Sequence, residues 1–480
     1  MVASGCPPAN NVETSMHFRK LDQHRSFTPT IDKCAIVPIL ACVFALIVSP
    51  LVIFATHSDF QALEARPENR IFWPAMTTIS IILAVQNRSQ LGRITWPPHI
   101  ICLFAYHAFA GAGVMWAFSP ERSLIRFVQQ VMIVTSIVLP AMLAARTANM
   151  LRGLFLCFAF AVILNTLFVL QGSVAIANYN SKFVDIGHQG YFMGKNYLGE
   201  CSVTALLLSL HEILYRGQRR ALSIIAFVIS ILLVFLSESK TALGLALICP
   251  NLARLTVFVG KTTCISPAII LLTLPFFYIV VSSVFNFSIY RVSYIFFGDS
   301  TLTGRTIIWD FAQYEIARRP LLGWGYQSFW LVPDSPSILD AAGWVKTMPN
   351  AHNGYYDTML ELGYAGLVFL LVFVIGILHG VGRVADRDPA RARLLLSLAL
   401  FVILYNFLES LWMRGFEFLW VVFLIVAAEI SRYRQPFRLT RVREAETRQS
   451  SPHTKRADAS VGHYAVVTAH PRNVVARCIR

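Results

Sequence analysis

The chain alternates long apolar runs with short polar connections. A run of about 20 apolar residues crosses the hydrocarbon core as a helix, and the pattern predicts about 12 such spans. They lie near 34–55, 71–85, 98–118, 123–144, 151–171, 197–215, 221–236, 241–259, 264–286, 358–380, 394–408 and 411–430. The second is short and the eighth is interrupted by Pro250-Asn251, so each is a candidate for a partly re-entrant segment. The expected fold is all-α: a polytopic membrane helix bundle with one long helical periplasmic loop. Residues 1–33 form an N-terminal tail, 34–430 the membrane domain and 431–480 a basic, disordered tail.

Composition supports this division. Of 480 residues, 56% are hydrophobic and 14% charged, too few charges for the polar surface of a soluble enzyme of this size. The net charge of +15 does not point to nucleic acid, because the basic residues sit mostly in short loops and the two tails. Arg216, Arg219 and Arg220 make one loop cluster; Arg383, Arg387, Arg391 and Arg393 make another. Such clusters stay on the cytoplasmic side, which places both termini in the cytoplasm. The first 33 residues lack the apolar core and cleavage site of a secretory signal. The nine cysteines are scattered, form no C-x-x-C pair and read as small apolar helix residues.

One connection is not short. Residues 287–352 separate spans nine and ten, on the exterior side by this topology, and a polar segment of that length is usually functional or separately structured. Thr303 is expected to cap a helix reaching about Arg319, with Ile308, Phe311, Ala312 and Ile316 on one face. Pro320 ends it, and Gly323 and Gly325 form a tight turn. Another exterior loop, 172–196, is Gly- and aromatic-rich (GHQGYFMGKN).

The candidate chemistry gathers on that exterior side. Arg305 stands in the first turn of the loop helix, where free N–H groups and a guanidinium together suit an anionic oxygen. Arg318 and Arg319 stand at its end, where they can equally complement the helix dipole. His352-Asn353 precedes span ten, and Asn353, Asp357 and Glu361 share one helical face. Asn353 can serve as an N-cap, but two carboxylates at the start of an apolar helix call for a further reason. His352 is a candidate base, since histidine changes charge near neutral pH. Lys195, Asn196 and Glu200 open span six, and Ser237, Ser239 and Lys240 form an exterior turn. Glu409, Arg414 and Glu417 lie at and inside span twelve, where Arg414 and Glu417 can pair with each other. Arg126 in span four either snorkels or faces the bundle. No Walker A loop or H-E-x-x-H occurs; the single D-x-D, Asp386-Arg387-Asp388, lies in a basic inner loop and reads as accidental.

Four segments resemble the O-antigen ligase and polysaccharide polymerase superfamily of bacterial inner membranes. They are STLTGRTIIWDFAQYEIARRPLLGWGYQSFW (300–330), AHNGYYDTMLELGYAG (351–366), GYFMGKN before span six and SESKTAL after span seven. Arg318-x-x-x-Leu322 fits the R-x-x-x-L pattern of ligases, and GRTIIW, RPLLGWG and AHNGYYD look closest to the exopolysaccharide polymerase branch. The resemblance covers roughly 180–420. It implies a glycosyl transfer without metal or cofactor, from an undecaprenyl-diphosphate-linked glycan to a growing polysaccharide or to lipid A–core. Membrane lipids and other polysaccharide-export proteins are its further partners, and nucleic acid is not. On this reading Arg305, Arg318 and Arg319 stabilise the diphosphate. His352 is the base, oriented by Asp357 or Glu361, while Asn353, Lys195, Asn196 and Lys240 contact substrate. Transfer to lipid A–core by a ligase is the alternative with the same chemistry. A lipid-linked glycan transporter or flippase is the alternative of another class; two halves related by a repeat would favour it, and no repeat is visible.

Overall fold

The computed structural model describes residues 32–56, 67–144, 150–172, 174–180, 183–216, 219–285, 304–415 and 417–433, together with 288, 291, 295 and 302. Most of both expected tails, and the proposed cap residue Thr303, lie outside the described residues.

Each apolar run carries a helix: α1 Lys33–Thr56, α2 Pro67–Gln86, α3 Pro98–Trp116, α4 Pro120–Leu143, α5 Met150–Leu170, α6 Lys195–Tyr215, α7 Arg220–Leu236, α8 Lys240–Thr263 and α9 Pro267–Phe285. After the long connection, with its own helix α10 Arg305–Arg318, come α11 Gly354–Arg387, α12 Pro389–Tyr405 and α13 Phe418–Arg432. Among the described residues, eight helices (α1, α3, α4, α5, α6, α8, α9 and α11) are long and apolar enough to cross a membrane. That makes the chain a membrane protein. Of the other four, α2 falls short on hydropathy and α7, α12 and α13 on length, so length and composition mark eight candidate crossings among the described residues. Pro250 does not break α8, which runs through it for 24 residues. The fold is not purely helical. The 172–196 loop holds an antiparallel hairpin, β1 Val174–Asn180 with β2 Phe183–His188, in which Val174 faces His188 and Ile176 faces Ile186.

The core forms around α13, every residue of which is buried. It packs on α4 and α12, while α1 and α2 flank α4, α5 and α7 flank α6, and α8 lies on α12. At the other extreme, α9 presents most of its surface outward. Exposed Ile269, Leu272, Phe276 and Phe277 suit a helix surrounded by lipid.

From Gly304 on, the long connection is a packed element. Ile308, Trp309, Ala312 and Ile316 of α10 are buried against Trp324, Phe329, Trp330 and Leu360. Burying side chains of this size contributes roughly 1.5–3 kcal/mol each. Residues 320–327 are stitched to the bundle on two sides. On the α3–α4 side, Trp116 Nε1 donates to Leu322 O (2.9 Å), Phe118 N to Trp324 O (3.0 Å) and Ser123 Oγ to Tyr326 O (2.7 Å). On the other side, α11 breaks at Gly363 (φ 65°, ψ −166°), which frees backbone groups. Trp324 N donates to Leu360 O (2.7 Å), Gly325 N to Glu361 O (2.9 Å) and Tyr364 N to Pro320 O (2.8 Å).

Only glycine fits the break at position 363. Its φ is in the left-handed region, and a Cβ there would stand 2.2 Å from the carbonyl carbon and oxygen of Leu321, both backbone atoms. Gly363→Ala should therefore destabilise the protein by about 3 kcal/mol or more, from strain and a clash that no rotamer relieves. The measurement is thermal unfolding of the detergent-solubilised protein, with Gly244→Ala in α8, where an added Cβ meets nothing within 4 Å, as the comparison.

Candidate functional site

Three separate stretches converge on Glu409, in the connection between α12 and α13. Arg305 Nη2 donates to Glu409 Oε1 (2.5 Å), Asn196 Nδ2 donates to the same oxygen (2.7 Å), and His352 Nδ1 lies 2.9 Å from Oε2. Ser239 Oγ donates to Asn196 Oδ1 (3.2 Å) and so orients the amide. The turn 237–240 and the GKN entry to α6 are thereby joined to the loop helix and to the start of α11.

Each partner is placed by local structure. Arg305 is the first residue of α10, after Gly304 in a left-handed conformation (φ 82°), which takes the capping position expected of Thr303. His352 precedes α11 with φ 46°, and its N–H donates to Asn350 Oδ1 (2.9 Å). Asn353 caps α11 by accepting from Tyr355 N (3.0 Å) and Tyr356 N (3.1 Å). Gly354 N donates to both Asn406 O (2.8 Å) and Glu409 O (2.9 Å), and Trp309 Nε1 donates to Ala351 O (3.0 Å). The turn holding His352 is thus held from both sides.

Burial alone would push the Glu409 carboxyl up. Arg305, then His352, and the hydrogen bonds from His352 and Asn196 more than offset that, so the group is held below the usual carboxylate range. A carboxylate against Nδ1 stabilises the tautomer with its proton there, which leaves Nε2 as the basic nitrogen. Nε2 has no hydrogen-bond partner among the described residues, and the ring is 22% exposed.

The carboxylates nearest in sequence are committed elsewhere. Asp357 Oδ1 accepts from Trp330 Nε1 (2.7 Å) and Ala351 N (3.1 Å). Arg414 Nη2 lies 2.6 Å from Glu361 Oε1 and 3.3 Å from Asp357 Oδ2. The expected orientation of His352 by Asp357 or Glu361 is therefore corrected: its partner is Glu409. The expected Arg414–Glu417 pair is corrected as well, since Glu417 accepts from Tyr197 Oη (3.0 Å). Arg126 faces inward and donates to Gln327 O.

Arg318 and Arg319 do not join the group around Glu409. Arg318 pairs with Glu315 (3.0 Å) and Asp340 (2.6 Å), with its side chain 43% exposed. Arg319 is exposed and lies 4.2 Å from the centre of the Trp324 ring. Lys195 Nζ reaches Glu238 O (3.5 Å), and Lys240 is exposed at the start of α8.

A cavity of about 420 Å³ opens beside this group. Asn350 and Ser410, close in sequence to His352 and Glu409, line it, but His352 and Arg305 do not. Its charged wall consists of Arg122, Arg126, Arg414, Glu361 and Glu417. Arg122 escapes a reading of the sequence because it stands at the start of an apolar helix, where a solvated end is the ordinary reading. Its spacing of four from Arg126 is the signal that both occupy one face.

Residues 225–371 match the family described as O-antigen ligase. That stretch contains Lys240, Arg305, His352, Asp357 and Glu361, and ends before Glu409. Over 372 residues the chain is 24% identical to the exopolysaccharide production protein ExoQ of Rhizobium meliloti (strain 1021), covering 72% of this chain and 78% of the relative. The motif resemblance, the matched segment and this relative agree: the chain is similar to the O-antigen ligase and exopolysaccharide polymerase superfamily of membrane proteins.

Proposed function

We propose that this protein polymerises undecaprenyl-diphosphate-linked oligosaccharide repeat units into exopolysaccharide on the periplasmic side of the inner membrane. The observation that carries the reading is the convergence of Arg305, His352 and Asn196 on Glu409, a base–carboxylate pair with a guanidinium beside it. In the reaction, an acceptor hydroxyl oxygen bonds to the anomeric carbon of the lipid-linked sugar. The bond from that carbon to the diphosphate breaks, and the diphosphate leaves on its lipid with the electron pair. The hydroxyl proton passes to His352 Nε2. Arg305 stabilises the charge gathering on the leaving group, which needs no metal if a guanidinium is fixed in place. Arg122 and Arg126 extend the positive wall into the cavity. Arg319, Asn353, Asp357, Glu361, Lys195 and Lys240 shape the surroundings.

Similarity to an exopolysaccharide production protein favours a polymerase over a ligase that uses lipid A–core. The deciding experiment incubates purified protein with labelled lipid-linked repeat units. A ladder of polymer without added lipid A–core supports the polymerase, and an absolute need for lipid A–core overturns it.

Two further outcomes are expected. Arg305→Ala should lower transfer by roughly 10²–10³, the cost of one charge-stabilising donor in such a site. Arg318→Ala should lower it by less than about tenfold, because its guanidinium is engaged by Glu315 and Asp340. Initial rates at matched membrane abundance measure both; equal losses would return Arg318 to the site. For topology, a reporter near Ser335 should read the periplasm and one after Arg434 the cytoplasm. The opposite pair would move the site to the other face.

A further inference from the structure

A second cavity lies far from Glu409, where the C-terminal part of α8 meets the N-terminal end of α12. Asn251, Arg254, Leu255, Phe258 and Lys261 line it from one face of α8, and Pro389 and Arg393 line it from α12. Arg254, Lys261 and Arg393 make it positive. Among the described residues, none of the three has a carboxylate within ion-pair distance. Arg393 lies 5.0 Å from the centre of the Tyr215 ring, and its buried Nε has no hydrogen-bond partner.

Depth makes this arrangement informative. Arg254 stands seven residues before Lys261, about 10 Å deeper along a helix rising 1.5 Å per residue. A guanidinium at that depth in a spanning helix is costly without a counter-charge. The described residues supply none, and the neighbouring side chains are apolar and turned outward: Leu255 is 58% and Phe258 64% exposed. Positive groups at graded depth beside an outward apolar strip match one kind of molecule, with an anionic head and acyl chains.

We propose that this groove binds an anionic phospholipid of the cytoplasmic leaflet, its phosphate held by Arg254, Lys261 and Arg393 and its chains lying on Leu255 and Phe258. The inference is independent of the catalytic reading and uses only the orientation stated above, which the reporter fusions test separately.

The test titrates the full-length protein in detergent with phosphatidylglycerol, phosphatidylcholine and inorganic phosphate, counting bound lipid by native mass spectrometry. Phosphatidylglycerol should bind preferentially, and millimolar phosphate should not displace it. Replacing one of the three residues by Gln should weaken binding about fivefold, and replacing all three roughly a hundredfold. Arg254→Lys should retain most of the affinity. Arg93→Gln removes the same charge from an exposed inner-loop position and should change little. Equal binding of phosphatidylcholine would overturn the proposal. So would an unchanged triple variant, a loss in Arg93→Gln as large as in the groove, or displacement by phosphate, which would indicate a free-anion site. Gel filtration confirms that each variant is folded, and the single variants decide the matter if the triple one is not.

Discussion

His352→Gln is expected to abolish polymer while lipid-linked repeat units accumulate. Glutamine can still donate an N–H to Glu409, so the pairing and the turn survive. What it lacks is the basic nitrogen that the imidazole presents on its far side. Removing a general base costs about 10²–10⁴ in rate, and at the upper end no polymer is visible on a gel. His352→Ala should match it. If Gln restored near-normal polymer at matched membrane abundance, His352 would be a structural hydrogen-bonder and the proton acceptor would have to be sought among the carboxylates of the cavity wall.

Glu409→Gln should be nearly as damaging, for a different reason. The substitution keeps the shape but takes the charge away from Arg305 and His352 together. The imidazole then has no anion to favour its Nδ1 proton, and Arg305 is free to turn from its position. Loss of the carboxylate behind a catalytic histidine costs up to about 10⁴ in the well-studied case of serine proteases. Because both changes remove one working unit, the double variant His352→Gln/Glu409→Gln should be little worse than either alone. Additive losses would show that the two residues act independently. The change also has a pH signature in stability. The Glu409 carboxyl is held below its unfolded value, so its contribution is complete above about pH 4.3 and disappears as pH falls through the depressed folded value. The gap in unfolding temperature between wild type and Glu409→Gln should therefore be full at pH 7 and close in acid.

The helices were legible because lipid-length apolar runs leave little room for another reading. Each expected span contains a helix, with edges a few residues out at most ends. The loop helix was legible too: Ile308, Ala312 and Ile316 recur at the period of a buried face, and they are buried. The hairpin was not, since glycines and asparagines in 172–190 hide the alternation that marks strands. The partner of His352 was hidden for a geometric reason. Asp357 and Glu361 are near in sequence, but after the left-handed turn at His352 the ring meets Glu409, while both carboxylates pair with Arg414. Glu409 lies 57 residues on and reaches the ring only because the start of α11 docks on the α12–α13 connection. Periodicity within one helix carries no information about such a contact.

The broken helix at Gly363 bears on how a polymer is made. Lifting residues 320–327 off the bundle would strand the donors of Trp324, Gly325 and Tyr364 and the acceptors that face them, at about 1–3 kcal/mol for each group left unpaired away from water. The loop and α11 therefore travel as one body, and the turn carrying His352 is an anvil that does not rise and fall with each addition. With the anvil fixed, the proposed polymerisation requires the sugar chain to do the moving: after every bond it would slip forward by one repeat. How far it runs before falling away is then a property of its grip on stationary walls, open to change by altering those walls without touching the chemistry.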